Sequence, residues 1–208
     1  MKLLIMIVVL GLSACTPTMM APPTPPLDPT HHRSFGLGYS AHKQVNSSAE
    51  RGNGGSPIMN GGQLWLRRKP KSSAKGISDT ESGLLISFGQ TSFGAVGTYY
   101  RKKINGLPKS VYLGTQIEWG WIWGGLGLPM GLQVLDGVWV YIQPTIRYPA
   151  YLMAHLPAGL SIDLGHSMRL DAQGGVSAFG VLFGKSTPGS PIHNRIFAYG
   201  GLGLSTHW

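Results

Sequence analysis

From Gly61 to the end of the chain, apolar residues alternate with small or polar ones at period two, the spacing of strands that have one apolar face and one of different character. Val111 to Trp123 is the clearest stretch. Its odd positions are Val111, Leu113, Thr115, Ile117, Trp119, Trp121 and Trp123, against Tyr112, Gly114, Gln116, Glu118 and Gly120 on the even ones. Met168 to Ala178 repeats the pattern, with Arg169, Asp171 and Gln173 on one face and Met168, Leu170, Ala172 and Val176 on the other. Residues 157–165 and 195–208 follow the same rule. The alternation predicts eight strands, at 61–69, 82–90, 92–103, 110–123, 138–148, 157–165, 168–183 and 195–208.

The apolar faces need a partner. A soluble sandwich or lipocalin-like barrel turns such faces inward and covers the outside with charge. Between Lys109 and Lys185, however, the only charged residues are Glu118, Asp136, Arg147, Asp163, Arg169 and Asp171. Apolar faces turned to hydrocarbon fit better, and in lipid every backbone donor and acceptor must be paired, which closes the strands into a barrel. The predicted fold is therefore all-β, an antiparallel up-and-down transmembrane barrel of eight strands over 61–208. Ten strands result if 124–137 is split at the hairpin signal Asp136-Gly137 and Ser34 to Gln44 is recruited. Residues 34–60 are ambiguous, since Phe35, Leu37 and Tyr39 alternate like a strand while Val45 to Gly62 is rich in Asn, Ser and Gly. Pro144 inside a strand predicts a bulge.

The N-terminal region reads differently. Met1 and Lys2 precede an apolar run from Leu3 to Leu12, too short to span a bilayer, so residues 1–14 read as an export signal. Leu12-Ser13-Ala14-Cys15 resembles the processing site of bacterial lipoproteins, and that resemblance implies cleavage before Cys15, the only cysteine, with lipid attached to it. Thr16 in place of Asp then implies sorting to the outer membrane of a Gram-negative bacterium. Residues 15–33, with Pro22, Pro23, Pro25, Pro26 and Pro29, read as an extended tether. The adjacent His31 and His32 lack further ligands at metal spacing and belong to that tether.

Seventeen Lys and Arg against eight Asp and Glu give a net charge of +9, which calls for an anionic partner. With eight strands and a periplasmic C-terminus, the connections 70–81, 104–109, 149–156 and 184–194 fall outside the cell, and 90–91 and 165–167 become periplasmic turns. Arg67, Arg68, Lys69, Lys71, Lys75, Arg101, Lys102, Lys103, Lys109, Lys185 and Arg195 then form an outer crown facing lipopolysaccharide phosphates. The same arrangement groups Trp119, Trp121, Trp123 and Trp208 at the periplasmic end, with Tyr99, Tyr100 and Tyr148 at the outer one, as interfacial girdles. The last strand, with Gly203, Thr206 and terminal Trp208, partly resembles the C-terminal assembly signal of outer-membrane barrels. That resemblance implies handling by the barrel-assembly machinery, as the lipobox implies lipoprotein sorting.

Within a narrow lumen, Glu118, Arg147, Asp163, Arg169 and Asp171 are expected to pair as a polar plug rather than line a pore. Some eight-stranded outer-membrane barrels are lipid A deacylases built on Ser, His and an acid, which directs attention to His166-Ser167 with Asp163, and to Ser205 with His207. Their predicted places, a periplasmic turn and the periplasmic end of the last strand, do not suit an outer-leaflet substrate. No motif asks for a metal, a cofactor or nucleic acid. The expectation is a non-enzymatic outer-membrane lipoprotein, a scaffold offering basic loops to lipopolysaccharide or to partners in an envelope complex. The alternatives are an outer-leaflet lipid hydrolase and a lipid-anchored soluble periplasmic β-domain.

Overall fold

The computed structural model describes residues 31–45, 58–70, 80–89, 95–120, 123–149, 152–180 and 195–208. Cys15, most of the proline-rich tether, Lys71, Lys75 and Lys185 lie outside them. Among the described residues twelve strand segments form one antiparallel sheet: β1 (Arg33–Gln44), β2 (Ile58–Arg68), β3 (Thr80–Gly89), β4 (Ala95–Lys103), β5 (Val111–Gly120), β6 (Trp123–Gly127), β7 (Met130–Leu135), β8 (Val138–Ile142), β9 (Thr145–Pro149), β10 (Leu152–Gly165), β11 (Met168–Gly180) and β12 (Arg195–His207).

The sheet closes on itself. The ring runs β1-β2-β3-β4-β5-β6-β9-β10-β11-β12 and returns to β1, which pairs β2 on one side and β12 on the other. That makes ten closed strands, not eight. The other two segments extend members of the ring. β7 continues β6 along β5, and β8 continues β9 along β10, each in the register already set. The interruptions are Leu128-Pro129 and Gln143-Pro144, where prolines lack the N–H a ladder needs. Hydrogen bonding nonetheless bridges them: Gly114 N donates to Pro129 O, Leu128 N to Pro144 O and Gln143 N to Pro157 O. Pro144 therefore sits in an unshifted ladder, where the sequence predicted a bulge. The register shifts fall elsewhere, at Gln133/Leu135 and Asp163/Gly165.

The two strands beyond the predicted eight are β1, from the ambiguous segment, and the composite β6–β7, from the stretch before Asp136-Gly137. The barrel thus begins at Arg33, not at residue 61. Gly137 makes the β7–β8 turn with φ +74°, a conformation glycine adopts without strain.

Adding two strands regroups the connections. One rim carries Arg33, Trp208 and the β2–β3, β4–β5, β7–β8 and β10–β11 connections. The other carries β1–β2, β3–β4, β5–β6, β9–β10 and β11–β12. The strand ends joined by 70–81 and 104–109, predicted to lie opposite the C-terminus, are thus on the C-terminal rim, while those joined by 149–156 and 184–194 are on the far one. The aromatic grouping changes with them. Trp119 and Trp123 close the far ends of β5 and β6, Tyr148 pairs with Gly124 beside them, and Trp208 belongs to the other rim.

Candidate functional site

Side-chain parity decides what each strand shows to the lumen. On β5, Ile117 and Trp119 are 51% and 49% exposed on the outer wall, whereas Gln116 and Glu118 are each 1% exposed inside. The rest of the ring follows. Leu37, Leu66, Val96, Leu126, Ile146, Leu156, Val176, Leu202 and Leu204 face outward, while the buried interior is dominated by Arg, Glu, Asp, Gln, Ser, His, Tyr and Trp. Polarity is inverted relative to a water-soluble protein.

A chain of charge-assisted hydrogen bonds, joined at Glu81 and Arg101 by a longer ion pair, crosses the lumen from β2 to β9. Arg67 donates from Nε to Glu81 Oε1 at 3.1 Å and from Nη2 to Glu81 Oε2 at 2.8 Å, a two-point pairing that only a guanidinium makes. Glu81 also accepts from the Tyr99 hydroxyl at 2.8 Å, and Arg101 Nη1 approaches it at 3.7 Å. Arg101 continues the chain by donating to Gln116 Oε1 at 2.7 Å and Gln143 Oε1 at 3.2 Å. Gln116 then donates to Glu118, whose other oxygen accepts from Arg147 Nε at 2.6 Å. The Arg147 guanidinium lies 5.1 Å from the Trp123 ring centre, a cation–π distance.

A second polar layer occupies the β8, β10, β11 and β12 side. Ser161 donates to Asp171, and Arg169 pairs with Asp163. Gln173 links the hydroxyls of Tyr141 and Tyr199. Tyr199 is sandwiched between the rings of His42 and His155, with centroids 5.3 Å and 5.1 Å away, and His155 Nδ1 lies 2.6 Å from Ser177 Oγ.

The five predicted lumen residues therefore separate. Glu118 and Arg147 form one buried pair, Arg169 and Asp163 another at the terminal rim, where the Asp163 side chain is 39% exposed, and Asp171 is held by a serine hydroxyl rather than an arginine. The predicted lipopolysaccharide-facing set also divides, because consecutive residues of a strand face opposite sides. Arg67 and Arg101 point into the lumen, Arg68 and Lys102 outward, and Lys69 and Lys103 are half-buried at the strand ends. Glu81, predicted in a loop, is the acid that holds both inward arginines. Parity was the available signal: Arg67 shares the face of Gln63 and Trp65, and Arg101 that of Tyr99.

Of the two Ser–His candidates, the set of His166, Ser167 and Asp163 does not assemble. His166 and Ser167 form the β10–β11 turn, Ser167 Oγ lies 3.3 Å from His31 Nε2, and Asp163, the acid suggested for them, pairs with Arg169. Ser205 and His207 meet inside the barrel at 3.4 Å, on the terminal rim. Among the described residues the shortest Ser–His contact, Ser177 with His155, escaped the sequence reading because its partners are on different strands. Its His Nε2 faces Tyr199, which makes it one link in the polar filling. Among the described residues no group of three or more His, Cys, Asp or Glu could hold a metal ion.

A closed antiparallel ring with an apolar wall and a polar, hydrogen-bonded interior defines the class: a β-barrel of the membrane-spanning kind. No protein-family model and no curated protein matches the chain. Among solved structures, Neisserial surface protein A (NspA) is similar, with a TM-score of 0.42 and 12% identity over 84% of this chain and 97% of that one.

Proposed function

We propose that this chain is a non-enzymatic β-barrel lipoprotein of the Gram-negative outer membrane, anchored through Cys15, which serves as a scaffold in the bilayer and engages lipid phosphate and envelope partners through its basic rim. The inverted polarity of β5 carries this reading. Trp119 and Ile117 on a wall facing water would expose apolar area worth roughly 25 cal/mol per Å², while Glu118 would lie buried beneath it. Hydrocarbon removes that conflict. The interlocked Arg67–Glu81–Arg101–Gln116–Glu118–Arg147 chain favours a plugged lumen over a conducting one. Lipid on Cys15 and a short tether favour a periplasmic setting for the rim that carries Arg33 and Trp208, with the lipoprotein-sorting and barrel-assembly machineries as the partners of biogenesis.

The reading is tested by its two anchors. Cys15→Ala protein should stay in the membrane through carbonate extraction and should migrate faster on gels when unheated than when boiled. Release into the soluble fraction would instead identify the lipid-anchored soluble domain. Mass spectra of lipid A from cells with and without the protein should agree in acylation, and a missing acyl chain in the producing cells would identify a hydrolase.

A further inference from the structure

The outer wall carries an open groove of about 480 Å³ beside the terminal rim, lined by Arg33, Arg68, Leu84, Tyr100, Trp119 and Trp208 among others. Arg33 and Arg68 are directly opposed across the β1–β2 ladder, both exposed on the same face. Like charges so placed repel, with Cβ atoms about 4.5–5.5 Å apart. Among the described residues no acidic side chain on the wall neutralises them. The acidic side chains of the described residues are Glu81, Glu118 and Asp171, buried in the lumen, and Asp136 and Asp163, in the β7–β8 turn and at the β10 end. Register ties the pair to the groove. The row Arg33, Arg68, Ser82, Tyr100, Ile117 starts at the first residue of β1 and ends near the far end of β5, so it climbs obliquely from the rim into the apolar wall. Between the aromatic flanks of Trp208 and of Tyr100 with Trp119, its floor is low, formed by Ser82, Gly83 and Thr98.

We propose that this groove binds one anionic glycerophospholipid, its phosphate bridging Arg33 and Arg68 and one acyl chain lying along Leu84 toward Tyr100 and Trp119. Two guanidiniums match the phosphate oxygens, and the neighbouring trench, walled by Leu84, Tyr100, Trp119 and Trp208, has the apolar character an acyl chain requires. The choice of phospholipid over lipopolysaccharide rests on the functional reading above, in which the terminal rim faces the periplasmic leaflet.

The test uses full-length, lipidated protein in detergent micelles with added phosphatidylglycerol, read by native mass spectrometry. Wild type should retain one phosphatidylglycerol in preference to phosphatidylcholine, and R33Q/R68Q should lose that preference by about tenfold or more. Ser82→Trp, which fills the trench and leaves both arginines, should weaken retention as well, whereas Lys43→Gln near the far rim should not. Faster unheated migration confirms that each variant is folded. Equal retention by wild type and R33Q/R68Q overturns the site, as does stronger competition by lipopolysaccharide than by phosphatidylglycerol. Orientation is read separately, by a membrane-impermeant maleimide on intact cells carrying Asn105→Cys in the β4–β5 connection. Protection is expected. Labelling places the rim outside and overturns the phospholipid assignment while leaving the membrane barrel standing, whereas loss of fast unheated migration in the wild type overturns the barrel itself.

Discussion

Glu118 and Arg147 sit on β5 and β9, with side chains 0% and 3% exposed, so removing either deprives the other, still buried, of the opposite charge it is bonded to. Glu118→Ala should lower unfolding stability in urea-titrated vesicles by about 3–5 kcal/mol. Glu118→Leu/Arg147→Leu should recover much of that loss, because an apolar pair has no charge to solvate, and the double-mutant cycle reports the coupling. Glycines supply a second residue-scale test. A Cβ on Gly36 would lie 2.1 Å from the Trp65 ring, so Gly36→Ala must displace a buried indole and should cost about 1–3 kcal/mol. Gly200 has nothing within 4 Å of the same position, and Gly200→Ala should change stability by less than about 0.5 kcal/mol. The face that Glu118 occupies was readable from its neighbours Trp119 and Ile117. Its partnership with Arg147 was not, since 29 residues separate them and only strand register brings them together.

Strands here are set by alternation and stopped by turn chemistry, and the β10–β11 hairpin shows where local chemistry is unfavourable. His166 and Ser167 have φ of 47° and 64°, the left-handed pair a two-residue hairpin requires, yet neither is Asn or Gly. His166→Asn/Ser167→Gly should raise stability by about 1–2 kcal/mol in the same urea titration, since left-handed backbone costs ordinary residues about that much. Asp136-Gly137 has the favoured sequence and makes its turn at the predicted place. Leaving the composite β6–β7 strand to the ten-strand alternative, not the main eight-strand prediction, had a definite cause: Gly124, Gly125, Gly127, Pro129 and Gly131 weaken the alternation, and Leu128-Pro129 breaks it in two. Only pairing with β5 on one side and with β8 and β9 on the other makes the two pieces one strand.

For the whole molecule, the number of strands controls which connections share a rim, and this is where the two missed strands mattered most. One of them opens the barrel and the other lies in its middle, so every connection between them changed sides while the later ones kept theirs. The connections 70–81 and 104–109 thereby joined the rim of Arg33 and Trp208, which in the proposed orientation places the strand-end cations Arg33, Arg68 and Lys69 beside the periplasmic leaflet rather than lipopolysaccharide. An even count still keeps both ends of the barrel together, as the anchoring through Cys15 proposed above requires.

The sequence by itself determined that the chain is all-β, which residues of each strand share a face, and that so few charges cannot clothe a water-facing exterior. Those are local properties: parity along an extended backbone needs no knowledge of the partner strand. Closure at ten strands, the pairing of Arg67 and Arg101 with Glu81, and the alignment of Arg33 with Arg68 were decided by the tertiary structure. Each depends on register between segments far apart in the chain, where one-residue slips would exchange wall for lumen, and only the closed ladder selects among them.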